Sequence, residues 1–333
     1  MSSTSWLHAA LQRLPESDST SAATVRARAD DILRPSGALA RFDAVAVHVA
    51  GWQRTSTPSI RRPAGLIFAA DHGVAAGGDV SAYPTSVTAA MLAAFEQGRA
   101  TINALAKSVG ATVSAVDVGV GHPSGDIRVE PAMTLDRFRE VIDAAVAAVD
   151  ALDTDLLVLG EMGIGNTTVA AALAHAVLGG DPSDWVGRGT GVDDHGLTRK
   201  RLAVEAASGR IAGITDPIEV MREVGGAELT AIAAATIAAR LRSIPVLLDG
   251  YAVTAATLPL HAARPGALDH CLVGHCSAEP GHRRLLAHLG VTALLDLDMR
   301  LGEGSGAMAS VPLVRAACDA VVEVATFTEW FGQ

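Results

Sequence analysis

The chain has 333 residues, of which 49% are hydrophobic and 19% are charged, and its formal net charge is −10. A chain of this length and composition buries a large core, as one large domain or as one large and one small domain. The negative charge, together with the lack of a basic stripe with interleaved aromatic residues, excludes nucleic acid as a partner and argues against binding to a membrane surface.

The first fifty residues predict helices and no strand. Helical patterns cover residues 5–53 and are interrupted at Pro15 and at the Pro35-Ser36-Gly37 turn. We expect this part to form a helical lobe together with the closing helix at the other chain end. The predicted division is 1–60 for the N-terminal part of the small lobe, 61–298 for the main domain, and 299–333 for a catalytic loop and a C-terminal helix.

From residue 64 onward, apolar strand-like runs alternate with helical segments. This alternation predicts an α/β fold with a Rossmann-like parallel sheet flanked by helices. The predicted strands cover residues 65–70, 112–117, 156–160, 244–248, 272–274 and 293–297. Polar side chains lie close to the ends of four of these runs, at Asp71, Asp117, Glu161 and Asp249. Ligands of open α/β sheets bind beyond the carboxyl ends of the strands, so we expect the site there.

The glycine-rich segment 160–168 is the most informative stretch of the chain. It follows an apolar run and precedes an alanine-rich helical pattern, which predicts a strand, a turn and a helix that begins near Asn166. Such a turn suits a phosphate, and Glu161 beside it suits the hydroxyls of a sugar, so a sugar phosphate is the expected ligand. The segment lacks the lysine of a P-loop and the spacing of a dinucleotide fingerprint. A turn that only packs the helix onto the sheet is the alternative.

A second glycine turn covers residues 187–191 and is followed by Lys200 on a predicted helix. Lys200 either reaches a phosphate or is a solvated helix charge. Asp193 and Asp194 precede this helix, and we interpret them as a helix cap rather than as metal ligands. His72 follows a strand end, where it is either a catalytic residue or part of a hydrogen-bonded turn over residues 71–73, and we favour the turn. The remaining histidines lack the spacing of a zinc site, so we expect no metal and no cofactor.

The rest of the chain adds expectations about the core and the cellular location. The longest apolar stretch, residues 229–239, is too short to span a bilayer and predicts a buried helix and no membrane insertion. Cys271, Cys276 and Cys318 show no C-x-x-C spacing, and their odd number favours reduced thiols in the core of a cytoplasmic protein. The N-terminus shows no export signal.

Glu303 lies in a glycine-dense loop after the last predicted strand. Missing side chains leave room there for a flat ligand to approach the carboxylate. Contact with an apolar ligand would raise the carboxyl pKa by desolvation, which favours a general base. The alternative is a glutamate that caps the following helix through its first-turn amides.

These segments together resemble the nicotinate-nucleotide–dimethylbenzimidazole phosphoribosyltransferases. The resemblance runs almost from end to end and is carried by residues 33–39, 70–74, 80–84, 87–88, 117–120, 160–168, 187–191, 200, 248–250, 277–279 and 300–306. It implies transfer of the phosphoribosyl group of nicotinate mononucleotide to 5,6-dimethylbenzimidazole, in assembly of the cobalamin lower ligand. It also implies a homodimer.

The resemblance assigns roles to individual residues. Glu303 matches the general base. The nucleotide and its phosphate are expected at Glu161, Gly163, Gly165, Asn166, Thr167, Gly189, Thr190 and Lys200. The base is expected at Ser81, Tyr83, Met91, Met162 and Leu301.

Two departures from the family pattern concern the base pocket. The loop at residues 75–79 is one residue longer than usual, and Ala90 stands where the family pattern has a glutamine. Both departures affect contacts that would select the incoming base. Two other functions stay open from the sequence: a non-catalytic nucleotide- or base-binding homologue, and a nucleoside phosphorylase-like enzyme.

Overall fold

A five-stranded parallel sheet forms the centre of the computed structural model, which describes residues 5–332. Its strands run in the order β2-β1-β3-β4-β5. They are β1 Pro63–His72, β2 Thr112–Ser124, β3 Leu156–Met162, β4 Val246–Leu248 and β5 Cys271–Val273. This confirms the predicted parallel α/β sheet.

Helices cover both faces of the sheet. In the described part of the chain they are α1 Ser5–Leu11, α2 Ser19–Asp31, α3 Ala40–Gln53, α4 Ser86–Glu96, α5 Thr101–Val109, α6 Leu135–Asp150, α7 Asn166–Leu178, α8 Asp194–Arg210, α9 Pro217–Val224, α10 Ala227–Leu241, α11 Tyr251–Ala263, α12 Pro280–Leu289, α13 Ser305–Val322 and α14 Phe327–Phe331. The buried helix predicted at residues 229–239 lies inside α10, where Leu229 to Ala239 are almost completely buried.

Alternation along the strands divides the core into two layers. Leu157 and Leu159 of β3 join the large cluster formed with α6, α7, α10 and α11. Leu156 and Val158 point to the other face and join the cluster formed with α5 and α13. Successive side chains of a strand point to opposite faces, so a strand covered on both sides is apolar throughout.

The predicted sixth strand, 293–297, is wrong. This segment makes a single parallel bridge, between Leu295 and His275, beyond the end of β5. Two of its amides, those of Leu294 and Leu295, donate to the carbonyls of Val273 and Gly274 at 2.8 and 3.0 Å. The segment therefore continues the edge of the sheet for a few residues without becoming a strand.

The order of the strands places a switch point between β1 and β3. The chain passes from β1 to β2 at one edge and then returns to place β3 on the other side of β1. The two connections leave β1 and β3 in opposite directions, so a crevice opens between their carboxyl ends, where ligands of such sheets bind. Glu161 and the glycine turn lie at this crevice.

Both chain ends meet in a smaller helical layer. Val25, Ala46 and Val321 belong to one buried cluster of α2, α3 and α13. Arg28 ties the ends further, because its guanidinium donates to the carbonyls of Val321 and Val324 at 2.8 and 2.9 Å. The smaller helical lobe is thus confirmed, while the exact division at residues 60 and 298 stays a prediction.

One described helix, α13, is long and apolar enough to cross a membrane by length and composition. About half of it, 56%, is buried inside the fold, and core helices of soluble proteins pass the same test. It packs against α3 and α5.

Candidate active site

The segment after β3 forms the predicted strand, turn and helix. Helix α7 begins at Asn166, and Gly165 before it has a φ of +94°. A side chain at Gly163 would place its Cβ 2.8 Å from the His72 ring, and one at Gly165 would lie 2.8 Å from Ala75. Gly163 and Gly165 are therefore required by the close approach of this turn to the end of β1 and to the short turn that follows β1, whatever ligand binds there.

Two backbone amides of the turn already make hydrogen bonds within the turn. The N–H groups of Asn166 and Thr168 donate to the carbonyls of Gly163 and Gly165 at 3.1 and 2.9 Å. The side-chain amide of Asn166 donates to the carboxylate of Glu161. Asn166 thus holds the orientation of Glu161. Because its backbone and side-chain N–H groups both have partners, an anion would have to bind to other groups around the turn.

Lys200 joins the two glycine turns. Its ammonium donates to Thr167 Oγ1 and to the carbonyl of Gly187, both at 2.8 Å. The side chain is almost completely buried, and burial lowers its pKa to about 8, with Glu279 acting in the opposite direction. The interpretation of Lys200 as a solvated helix charge is therefore wrong.

Glu279 stabilises the second glycine turn by a hydrogen bond to its backbone. Its Oε1 accepts the Gly189 N–H at 2.9 Å. A Cβ at Gly187 would lie 1.8 Å from Glu279 Oε2, so a larger residue there would displace the carboxylate that holds the turn. The sequence marked residues 277–279 as a match to the family without giving Glu279 a role. No local pattern signals this contact, which joins positions 90 residues apart.

Glu303 lies directly against β3. Its φ is +74°, a left-handed conformation that is uncommon for a side chain other than glycine. Its backbone N–H donates to the Glu161 carbonyl at 3.2 Å. A Cβ at Gly160 would lie 2.1 Å from the Glu303 carbonyl oxygen, and one at Gly302 would lie 2.3 Å from Glu161 Oε1. Glycines at both positions let the loop bring the two glutamates together.

Glu303 as a whole is only 6% exposed. The environment of its carboxyl makes it a better proton acceptor. Burial raises its pKa, and the negative charge of Asp249 adds to the rise. The Ile102 backbone N–H at the start of α5 and the Ser305 hydroxyl oppose it. The alternative in which Glu303 caps the following helix is wrong, because in the described part of the chain no local side-chain cap hydrogen bond is made at the start of α13. The amides of Gly304 and Ala307 donate instead to Asp249, at 3.2 and 2.8 Å.

Glu161 belongs to a group of buried carboxylates at the crevice. Burial raises its pKa well above the usual range, and the nearby charges of Glu228, Asp249 and Glu303 raise it further, while the Asn166 amide opposes them. A carboxyl with a raised pKa is available as a hydrogen-bond donor as well as an acceptor. Both capacities suit the hydroxyls of a sugar.

The interpretation of His72 as part of a turn is wrong. His72 is the last residue of β1, and its Nε2 lies 2.6 Å from Glu228 Oε1, with both side chains completely inaccessible. Glu228 stands near the start of α10, 156 positions away. The pair packs against Gly163 and Gly226. A Cβ at Gly163 would lie 2.8 Å from His72 Nε2, and a Cβ at Gly226 would lie 2.6 Å from His72 Cε1. Sequence reasoning gave no role to Glu228.

The loops of the predicted base pocket meet the second glycine turn. Ser81 Oγ lies 3.3 Å from Thr190 Oγ1, which also accepts the Ala82 N–H. Arg300 donates to the Gly189 carbonyl at 3.2 Å. The structure thus brings residues 81–82, 189–190 and 300 together at one rim of the crevice.

The other base-pocket candidates differ in exposure. Tyr83 and Leu301 are 53% and 44% exposed, and are free to contact a ligand. Met91 on α4 and Met162 at the end of β3 are half-buried and pack against the core cluster that contains Ile102. Their contact with a base stays a prediction.

Comparison with known proteins assigns the family. The phosphoribosyltransferase family matches residues 14–330. The chain belongs to this family. Its curated relatives include two nicotinate-nucleotide–dimethylbenzimidazole phosphoribosyltransferases. The one from Methylorubrum extorquens is 46% identical over 97% of this chain and 94% of the relative. The one from Mesorhizobium japonicum is 47% identical over 97% of this chain and 96% of the relative.

A solved structure agrees with this phosphoribosyltransferase fold. The crystal structure of CobT from Thermus thermophilus is 42% identical in sequence and superposes with a TM-score of 0.89. The match covers 93% of this chain and 98% of that chain. Both the sequence resemblance and the fold class are thereby confirmed.

The sequence of this phosphoribosyltransferase also predicts a helix cap at Asp193 and reduced thiols at the three cysteines. Asp193 caps α8 by accepting the Gly196 N–H at 2.7 Å, as predicted. Cys276 and Cys318 are buried, Cys271 is half-buried, and all three are free thiols. Among residues 5–332, no group of three or more His, Cys, Asp or Glu side chains is arranged to hold a metal ion.

A cavity of about 490 Å³ lies away from the crevice, at the amino ends of the strands. Its lining includes Thr154 and Arg242. Arg242 already donates to the carbonyls of Val149 and Leu152. The Thr154 hydroxyl lies 2.7 and 2.9 Å from the carbonyl oxygens of Arg62 and Leu156 and shares its one proton between them. These polar groups serve to close the base of the sheet.

Proposed function

We propose that this chain transfers the phosphoribosyl group of nicotinate mononucleotide to 5,6-dimethylbenzimidazole. The products are α-ribazole 5'-phosphate and nicotinate, and the reaction serves assembly of the cobalamin lower ligand. The observation that carries the proposal is the buried Glu303 carboxyl, whose pKa is raised at the switch-point crevice. The names of the curated relatives give the same substrates.

The phosphate of the nucleotide would bind between the two glycine turns. Lys200 supplies the positive charge there, and Thr167 and Gly189 lie next to its ammonium. Thr190 follows Gly189 in the second turn and accepts the Ala82 N–H. Gly163, Gly165 and Asn166 shape the first turn, and Glu161 faces the ribose. Holding the phosphate throughout the reaction positions the sugar for attack.

The chemical step is a displacement at the anomeric carbon. One nitrogen of the benzimidazole attacks with its lone pair, and the bond from that carbon to the nicotinate nitrogen breaks. The electron pair of the broken bond neutralises the pyridinium, so nicotinate leaves without a compensating cation. Glu303 removes the proton from the opposite benzimidazole nitrogen as positive charge develops on the ring. Attack from the face opposite the leaving group inverts the β configuration to α.

The incoming base would lie against Ser81, Tyr83, Met91, Met162 and Leu301. Ala90 is exposed on α4, close in sequence to Met91, and lacks the polar group of a glutamine. An apolar pocket separates similar flat shapes by only about 1–3 kcal/mol. We therefore propose modest discrimination between benzimidazole and its dimethyl derivative.

Turnover of purified protein with nicotinate mononucleotide and 5,6-dimethylbenzimidazole tests the function. Chromatography should show release of nicotinate and formation of the α-riboside phosphate in equal amounts. Binding of both substrates without turnover would identify a non-catalytic homologue. Phosphate-dependent cleavage of a nucleoside would identify a phosphorylase instead.

We also propose a homodimer in the cytoplasm. The sequence resemblance supports the dimer, and α14 exposes Phe327, Trp330 and Phe331 by 44%, 68% and 62%. Clustered exposed apolar side chains mark surfaces that bind proteins. Light scattering at micromolar concentration should give twice the chain mass, and a single-chain mass would contradict the dimer.

A further inference from the structure

Asp249 lies under the loop that carries Glu303 and is nearly inaccessible to solvent. It follows β4, at the carboxyl edge of the sheet, one strand away from Glu161. Its Oδ2 accepts the Gly304 N–H at 3.2 Å and its Oδ1 accepts the Ala307 N–H at 2.8 Å. A single carboxylate therefore holds the residue after Glu303 and the first turn of α13.

These hydrogen bonds restrain the backbone of Glu303 from one side, while β3 restrains it from the other. Glu303 donates its N–H to Glu161, and its carbonyl lies over Gly160. Glu303 and Gly304 both have left-handed backbones, with φ values of +74° and +88°. A non-glycine residue keeps such a conformation only when its surroundings fix it. Asp249 supplies the fixed partner on the side of α13.

The side chain that packs against Asp249 is His275. Its Nε2 lies 3.5 Å from Asp249 Oδ1, and both side chains are 1% exposed. The His275 ring occupies the space left by two glycines: a Cβ at Gly306 would lie 2.1 Å from the ring, and one at Gly250 would lie 2.9 Å from it. The aspartate therefore has little freedom to turn away from the loop.

We propose, on the basis of the function above, that Asp249 is a positioning residue for Glu303. Its carboxylate fixes the loop in the conformation that aims the Glu303 side chain into the crevice. Its negative charge also keeps Glu303 reactive as a base. Asp249 itself does not need to touch either substrate.

The electrostatics of the buried groups support the second part of this role. Burial is the main cause of the raised pKa of Glu303 and of Glu161, and the negative charge of Asp249 raises both further. Burial also raises the pKa of Asp249 itself, while His275 and the backbone N–H groups of the loop favour its charged form.

The other titratable groups around this pair are few. Glu161 on β3 faces both Asp249 and Glu303, and Glu228 on α10 faces Glu161. His282 on α12 faces His275, with ring centroids 6.3 Å apart. His72 pairs with Glu228 on the far side of Glu161. Among the described residues, these are the titratable groups that a pH profile of this site has to include.

The variant Asp249→Asn tests the proposal, because it keeps the size of the side chain and one carbonyl acceptor but removes the charge. We expect kcat to fall roughly 10- to 100-fold, with little change in the Kd for nicotinate mononucleotide. The limb of the pH profile on which kcat rises with pH should move to lower pH by about one unit, since Glu303 loses a negative neighbour. Asp18→Asn is the control, since Asp18 caps α2 far from the crevice.

Two outcomes would overturn the proposal. The first is an Asp249→Asn enzyme with a lowered Tm but an unchanged pH profile and kcat per folded molecule, which would make Asp249 only a helix cap. If the asparagine variant does not fold, Asp249→Ser keeps a hydroxyl acceptor and carries the same expectations. Failure of both variants to fold is the second, because it would assign Asp249 to folding alone.

A crystal structure of the asparagine variant separates this proposal from the proposed function. If the wild-type protein does not turn over the two substrates, the proposed function fails. The positioning is then still read from the φ of Glu303, which should leave the left-handed region in the variant. An unchanged loop would contradict the positioning role even in an active enzyme.

Discussion

At the scale of single residues, burial gives Glu303 and Lys200 the properties that the proposed reaction needs. The same loss of solvent raises the pKa of the carboxyl and lowers that of the ammonium. Burial favours the uncharged form of each group. Both groups therefore respond to pH and to the charges around them.

The substitution Glu303→Gln should lower kcat by roughly 10²–10⁴-fold, because an amide cannot accept the proton. Binding of nicotinate mononucleotide should persist, since glutamine keeps the volume and an oxygen for the Ile102 N–H. Measuring kcat, Kd and Tm on one preparation separates catalysis from stability, with the exposed Glu140→Gln as control. A destabilised variant with near-normal kcat would move the base to Glu161.

Replacing Lys200 with alanine should raise the KM for nicotinate mononucleotide about 10- to 100-fold, with a much smaller effect on the KM for the base. A charge-assisted contact of this kind contributes about 1.5–3 kcal/mol. Lys107→Ala is the matched control, because Lys107 is exposed on α5. An unchanged nucleotide KM would assign Lys200 to the structural task of joining Thr167 with Gly187.

The pH dependence of Lys200 should differ between binding and stability. Its pKa is about 8 in the folded chain against 10.5 for an ordinary lysine. Between these values the unfolded chain binds more protons, so the contribution of this lysine to the free energy of unfolding rises with pH through that window. Nucleotide affinity should fall over the same range, as the ammonium loses its charge.

Calorimetric titration of nicotinate mononucleotide from pH 7 to pH 10 measures this effect. A bound phosphate raises the lysine pKa, so Kd should increase by at most about tenfold per pH unit above pH 8. Lys200→Arg serves as the control, since a guanidinium keeps its charge. A flat profile for the wild-type protein would show that Lys200 does not contact the phosphate.

At the scale of elements, the site depends on how closely the loop at 302–306 approaches β3. Gly160 permits this approach, and β3 is buried from Leu156 to Glu161. A methyl group there meets backbone atoms, which cannot rotate away as a flexible side chain would. The contact is therefore sensitive to a single carbon atom.

The substitution Gly160→Ala should separate the loop from β3 and lower both Tm and kcat. Its Cβ would lie 2.1 Å from the Glu303 carbonyl oxygen. We expect a loss of about 1–3 kcal/mol in the free energy of unfolding, as for other overpacked cores. Gly209→Ala in α8 is the control: it meets nothing within 4 Å and should be neutral or slightly stabilising. Equal Tm values for the two variants would contradict this account of the loop.

The elements also show how far the sequence can be used. The five strands, the turn before α7 and the cap at Asp193 are predictable, because each depends on apolar runs or on residues a few positions apart. The role of His72 is not, because its partner Glu228 is 156 positions away. The prediction of a sixth strand is wrong because an apolar run alone does not show how far a strand pairs with its neighbour.

At the scale of the whole molecule, the two chain ends form one lobe around Arg28. Its guanidinium donates to carbonyls at the end of α13 and pairs with Glu329 at 2.6 Å. The isolated bridge between Ile32 and Thr326 lies beside these contacts. The C-terminal segment is thus attached to α2 by a small number of polar contacts.

Truncating Arg28 to alanine should therefore release the C-terminal segment. We expect a loss of about 1–2 kcal/mol in the free energy of unfolding, because the pair with Glu329 is partly exposed and contributes little by itself. Amide exchange should accelerate at residues 324–332. The exposed Arg26→Ala on the same helix is the control, and equal exchange in the two variants would show that apolar packing alone holds the ends together.

The sequence by itself determined the parallel α/β fold, the family and the segments that form the site, because these follow from local periodicity and from motifs in order. Only the tertiary structure decided the environment of the site residues. It buried Lys200, paired His72 with Glu228, and placed Asp249 under the loop of Glu303 across 55 positions. The physical reason is that burial and the field of neighbouring charges depend on which distant segments pack together, and the order of residues along the chain does not show this.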